Sequence, residues 1–188
     1  MSKLIDACIN NNTEIALKLI ENKANLDLQS NNGWTALMWP CYHNNIELAL
    51  KLIENKANLD IQNEDGWTAL MFSCRFNNKE IVLKLIENKA NLDIQDNYGW
   101  TALIYSCWYN NLELALKLIE NKANLDLQSS GGMIALMYSC MKNNTEIVLK
   151  LIENKANLDI QDNYGWTALM WVCYRNNTKI ISYLLEMY

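Results

Sequence analysis

Glycine recurs every 33 residues, at Gly33, Gly66, Gly99, Gly132 and Gly165, and cysteine keeps the same step at Cys8, Cys41, Cys74, Cys107, Cys140 and Cys173. This period constrains the chain more than any other feature. Each unit is one small supersecondary motif that cannot bury its apolar face alone, so consecutive units must stack. The expected organisation is a single repeat domain over residues 1–188: an N-terminal capping unit 1–32, internal units 33–65, 66–98, 99–131 and 132–164, and a C-terminal capping unit 165–188.

Each unit reads as two short helices and a loop. In Gly33-Trp34-Thr35-Ala36-Leu37-Met38, the Thr35 hydroxyl is placed to accept from free backbone N–H groups of a first helical turn. That helix is expected to run to about His43, where Asn44 and Asn45 supply a residue tolerant of the left-handed conformation a tight helix–helix turn needs. A second helix over residues 47–55 puts Ala49, Leu50, Leu52 and Ile53 on one arc and Lys51 and Glu54 outside it. Ala57-Asn58-Leu59-Asp60-Ile61-Gln62 then alternates with period two and leads through Asn63-Glu64-Asp65 to the next glycine, a hairpin-like loop.

Those residues carry a resemblance. Gly-Trp-Thr-Ala-Leu-Met and Ala-Asn-Leu-Asp at a spacing of 33 are similar to the signature of the ankyrin repeat, and the likeness covers essentially the whole chain. It implies an all-α solenoid of about six helix-turn-helix units with β-hairpin loops. The sequence departs from the family in three places. Ala36, Ala69, Ala102, Ala135 and Ala168 stand where the family has Pro; Met38, Met71, Ile104, Met137 and Met170 stand where it has His. Lys23, Lys56, Lys89, Lys122 and Lys155 stand where Gly usually ends the second helix. The His change removes a side chain that links neighbouring repeats, and apolar packing is expected to substitute. Ankyrin chains with this compositional bias resemble those of AT-rich protists, their large viruses and intracellular bacteria.

Composition excludes several classes. With 51% hydrophobic residues the chain is not disordered, yet its apolar runs are too short to span a bilayer. Met1-Ser2-Lys3-Leu4-Ile5-Asp6 reaches charge before a signal-peptide core can form, so an intracellular, cytoplasmic setting, including that of a host cell, is expected. A net charge of −5, with only Arg75 and Arg175 as arginines, argues against nucleic acid. The six Cys read as one small buried core residue per unit. Helices packed roughly 8 to 10 Å apart are too distant for disulfides, and no clustered set suggests zinc. His43 is the only histidine, no Gly-rich phosphate loop is present, and no catalytic residues, metal or cofactor are expected.

Positions that vary between repeats carry the functional information. In ankyrin proteins the partner usually contacts the hairpin tips and the exposed end of the first helix. Carried onto this sequence, the resemblance implies partner-binding slots at Trp34, Tyr42, His43, Glu64, Asp65, Trp67, Arg75, Phe76, Tyr98, Trp100, Trp108 and Tyr109, continuing through Lys142, Tyr164, Trp166, Tyr174 and Arg175. The aromatic share is high, and Trp, Tyr and Arg dominate interface energetics. A protein or extended peptide is therefore the expected partner of a non-enzymatic scaffold, monomeric rather than homo-oligomeric. The Trp after each Gly serves equally well as packing. A narrower alternative is an aromatic cage for methyl-lysine or another cationic peptide, built from Trp34, Trp39, Tyr42 and Phe72; self-association through exposed rings is another. Two irregularities stand out. Pro40 falls inside a first helix, where it should kink it, and Ser129-Ser130-Gly131-Gly132-Met133-Ile134 loses both Trp and Thr, which predicts a looser loop.

Overall fold

The structure, a computed structural model, describes residues 2–185, with side chains through Tyr183; Met1 and residues 186–188, the extremities of the two expected capping units, lie outside it. The described residues form helices α1 (Lys3–Ile9), α2 (Thr13–Glu21), α3 (Met38–His43), α4 (Ile46–Glu54), α5 (Ala69–Arg75) and α6 (Lys79–Glu87). The series continues with α7 (Ala102–Trp108), α8 (Leu112–Glu120), α9 (Ala135–Met141), α10 (Thr145–Glu153), α11 (Ala168–Tyr174) and α12 (Thr178–Leu185). The fold is the all-α repeat solenoid expected from the period, with no strand among the described residues. Its contacts group into two compact units, Met1–Asn97 and Tyr98–Tyr188.

Each unit has two layers. In the first, α1, α3 and α5 pack in sequence and each pairs with its own second helix, while α2, α4 and α6 form the other layer. In the second, α7, α9 and α11 play the same part against α8, α10 and α12. The second helices are amphipathic as expected: Leu48, Ala49, Leu52 and Ile53 of α4 are buried, and Leu50 is half-buried at the edge. Removing one such leucine side chain costs about 2–5 kcal/mol.

The backbone turns where the sequence says it should. Asn44 takes φ 56° between α3 and α4, and Lys56 takes φ 67° after α4; Asn77, Lys89, Asn143 and Lys155 repeat the pattern. Each Lys therefore occupies the left-handed position where Gly usually stands. The loops are hairpins closed by two backbone bonds, Gly33 N–H to Ser30 O and Ser30 N–H to Trp34 O at 2.9 Å each, too short to extend into strands.

Neighbouring repeats are joined by polar ladders as well as apolar contact. The Gln62 side-chain amide donates to Gly66 O at 2.7 Å and to Gln95 O in the next loop at 2.9 Å. The Asp60 carboxylate accepts from Asn91 N–H at 2.9 Å. Gln128 and Asp126 do the same in the second unit. These loop amides and carboxylates tie together repeats that lack the family's histidine.

Three local expectations are corrected. Thr68 and Thr101 accept from Met71 and Ile104 N–H groups, but Thr35 caps nothing, because α3 starts late, after Leu37. Pro40 supplies the reason: lacking an N–H, it cannot close the turn that α5 begins at Ala69. It sits instead in the first turn of a shortened helix, where that N–H would be unpaired anyway. The Ser129–Ile134 loop keeps both hairpin bonds, Gly132 N–H to Ser129 O and Ser129 N–H to Met133 O; what it lacks is the side-chain cap on α9. Finally, Cys8, Cys41, Cys74, Cys107 and Cys140 are buried but Cys173 is exposed, since among the described residues no later helix pair packs over α11.

Candidate binding surface

Most aromatic residues fall after the repeat's glycine, on the core side of the first helix, or at the end of that helix and the cap that follows it, as Phe76 and Tyr109 do; Tyr98 and Tyr164 stand just before the glycine. In the first unit the rings form a continuous cluster. The Trp34 ring lies between Trp39 and Phe72, with centroid separations of 4.2 and 4.4 Å. Tyr42 meets Trp34, Phe72 and Phe76 edge-on at 5.8, 6.2 and 5.1 Å. Trp67 packs on Phe72 at 4.8 Å, and the Arg75 guanidinium stands 5.3 Å from the Trp67 centroid and 5.5 Å from Phe76. Pairs in this range contribute about 0.5–1.5 kcal/mol beyond their buried area.

The second unit repeats the arrangement with different residues. Trp100 sits 5.4 Å from Trp108 and 4.8 Å from Tyr138. The Lys142 ammonium lies 3.6 Å from the Trp108 centroid. Trp166 packs on Trp171 at 4.9 Å and meets Tyr174 at 5.7 Å, and Arg175 lies beside the Tyr174 ring.

Exposure sorts the expected binding residues into two groups. Tyr42, His43, Glu64, Asp65, Arg75, Phe76, Tyr98, Tyr109, Lys142, Tyr164, Tyr174 and Arg175 are exposed, Tyr164 at 87%. Trp34, Trp100, Trp108 and Trp166 are half-buried, and Trp67 is buried at 9% exposure. The Trp after glycine is therefore at least a packing residue, and Trp67 offers a partner almost nothing. His43 is tied back as well, its Nε2 donating to Ile9 O at 3.2 Å. Trp34, Trp39, Tyr42 and Phe72 do converge, but the Trp34 ring itself fills the space between Trp39 and Phe72.

A pairing within each loop escaped the sequence reading. The residue nine positions before the core-side aromatic supplies its polar partner: Asp162 Oδ2 accepts from Trp171 Nε1 at 2.9 Å, and Ser129 Oγ accepts from the Tyr138 hydroxyl at 3.0 Å. Asn63 holds the slot nine positions before Phe72, whose ring needs no polar partner. The exception is Trp39, whose slot partner is Ser30: its Nε1 is buried without a hydrogen bond. The signal was present as covariation between repeats, but only the fold shows that residues nine apart meet.

Other features do not assemble a reaction centre. Burial pushes the thiols of Cys41 and Cys107 up to about 12, far from a reactive thiolate. Shallow grooves of about 450 and 430 Å³ lie at the helix turns, lined by Asn110, Asn143 and Asn144 in one unit and Asn44, Asn77 and Asn78 in the other. Their recurrence with the repeat marks them as architecture. Among the described residues no three His, Cys, Asp or Glu side chains are grouped to hold a metal, and no helix is long and apolar enough to cross a membrane.

Comparison with known proteins agrees with this geometry. No curated protein matches the sequence. Among solved structures, EF0377, an ankyrin repeat protein, is similar at 25% identity and a TM-score of 0.89, over 98% of this chain and 96% of that one. An ankyrin repeat domain from Acinetobacter baumannii AYE is similar at 26% identity and a TM-score of 0.89, over 97% and 95%. The family described as "Ankyrin repeats (3 copies)" matches residues 2–63, 42–129 and 109–188. Period, helix pairs, closed loops and family match lead to one conclusion: the chain belongs to the ankyrin repeat family.

Proposed function

We propose that the chain is a non-enzymatic scaffold that binds a protein or extended peptide through the aromatic ends of its first helices. Ankyrin repeat folds generally mediate protein–protein interaction. The observation that carries the finer reading is the exposure of Tyr42, Phe76, Tyr109 and Tyr174, at slots where folding requires no ring. Large rings left in water at the ends of first helices suit a partner that covers them. The six-unit division given above, a monomeric state and a cytoplasmic setting in an AT-rich organism belong to this reading.

Two double variants test it, Tyr42→Ser with Phe76→Ser and Tyr109→Ser with Tyr174→Ser. Proteins captured on the wild-type chain are expected to be lost from at least one variant with its melting temperature unchanged. Retention of the same proteins by both overturns the proposal. Light scattering across a dilution series separates it from self-association, which predicts mass falling on dilution. A methyl-lysine cage draws on the convergence of Trp34, Trp39, Tyr42 and Phe72, but a methylammonium would have to displace Trp34. Tryptophan quenching by trimethyl-lysine peptide and not by its unmodified counterpart would favour that alternative.

A further inference from the structure

Charge is divided between the layers. Helices α7, α9 and α11 contain no Asp or Glu, whereas α8 and α10 carry Glu113, Glu120, Glu146 and Glu153. The lysines of those second helices are neutralised at home, Lys117 by Glu120 at 2.8 Å and Lys150 by Glu153 at 2.7 Å. Lys142 and Arg175, at the ends of α9 and α11, are exposed and make no ion pair among the described residues; each lies against a ring instead. Of the carboxylates between and beside them in sequence, Glu146 belongs to α10 in the second-helix layer, and Asp162, in the loop before α11, is buried and taken up by the Trp166 and Tyr164 N–H groups and the Trp171 indole. A chain of net charge −5 thus presents a locally cationic, aromatic face.

We propose that this face of the second unit, Tyr98–Tyr188, docks an acidic peptide, an inference that rests on the protein-binding reading and specifies its partner. A cation held over a ring keeps its charge and its outward donors while losing freedom, which suits carboxylate capture. Lys142 and Arg175 occupy the same slot in successive repeats. Packed helices lie about 8–10 Å apart, and an extended peptide rises about 3.3 Å per residue. Carboxylates three residues apart match the two cations, with apolar side chains between them against Trp108, Tyr109 and Tyr174. Two cations are too few to track a phosphate backbone in a chain of this net charge.

The test is fluorescence anisotropy on the full chain with a labelled Glu-Phe-Ser-Glu-Phe-Ser-Glu peptide, its Gln and Lys counterparts, and a single-stranded oligothymidylate. The acidic peptide should bind at least tenfold tighter than the Gln peptide at low salt, the gap closing at high salt. Lys142→Glu with Arg175→Glu should abolish that gap, as should the milder Lys142→Ala with Arg175→Ala. Lys117→Glu with Lys150→Glu, the same net change on the second helices, should leave most of it. No binding of the acidic peptide, equal binding of acidic and Gln peptides, equal effects of the two charge reversals, or preference for the oligothymidylate each overturns the proposal. If Tyr109→Ser with Tyr174→Ser weakens acidic and Gln peptides alike, the aromatic surface survives and only the acidic preference falls. The broader reading fails when this variant and Tyr42→Ser with Phe76→Ser both capture the same proteins as wild type.

Discussion

A side chain held at positive φ carries strain that glycine does not, and Lys56 at φ 67° is such a case on an exposed turn. Lys56→Gly is expected to stabilise the fold by up to about 1 kcal/mol, less what the more flexible unfolded chain loses, and urea unfolding measures it. Trp39 gives the opposite opportunity. Its buried indole N–H lacks an acceptor, whereas Trp171 has Asp162. Ser30→Asp should supply one and raise stability by about 1 kcal/mol, and Asp162→Ser should lower it comparably. Thermal melts of the two variants moving in the same direction would contradict the pairing. The left-handed Lys was legible from the repeat alignment. The Trp39 vacancy was not, because nothing in a linear sequence says which polar group an indole will face.

Among elements, the glycine-led loop is where identical sequence has unequal consequence. A Cβ on Gly66 would stand 2.7 Å from Asn97 N and 2.8 Å from Asp96 Cα, whereas one on Gly165 meets nothing within 4 Å. Both share the left-handed strain of φ near 80°. Gly66→Ala is therefore expected to destabilise by clearly more than Gly165→Ala, which carries the backbone penalty of about 1 kcal/mol alone; equal losses in chemical denaturation would refute the close approach. Helix α9 makes a second case, since Ile134 replaces the threonine that caps α5 and α7. The loop itself keeps its hydrogen bonds, so enhanced amide exchange belongs at Met137, the first-turn N–H without a cap. Ile134→Thr should slow exchange there, against the loss of a side chain that is fully buried.

In the molecule as a whole, one buried thiol recurs in successive repeats, and this gives stability a pH dependence. Burial raises Cys41 and Cys107 from an ordinary 9.0 to about 12. Above pH 9 the unfolded chain sheds protons that the folded chain keeps, so stability present below pH 9 is lost as pH rises toward 12. Each thiol contributes up to about 1.4 kcal/mol per pH unit in that window. Urea melts between pH 8 and 11 should show a steeper fall for wild type than for Cys41→Ala with Cys107→Ala. Under native conditions at neutral pH, a thiol reagent should label the exposed Cys173 and spare the buried five. The sequence placed all six cysteines in one equivalent slot; it could not show that the last slot stays uncovered.

The 33-residue period by itself determined the helix pairs, the turns at Asn and Lys, the loop glycines and the family, because a repeated motif with one apolar face has few ways to bury it. It also picked out the rings Tyr42, Phe76, Tyr109 and Tyr174, which the structure leaves exposed. Tertiary structure decided what depends on the neighbour across the stack. It buried Trp67, filled the candidate cage with Trp34, shortened the helix around Pro40, and left Lys142 and Arg175 on rings instead of carboxylates. The filled cage and the Lys142–Trp108 contact join residues about one repeat apart, where local pattern is silent and distance in space governs; the short α3 follows from the N–H that Pro40 lacks.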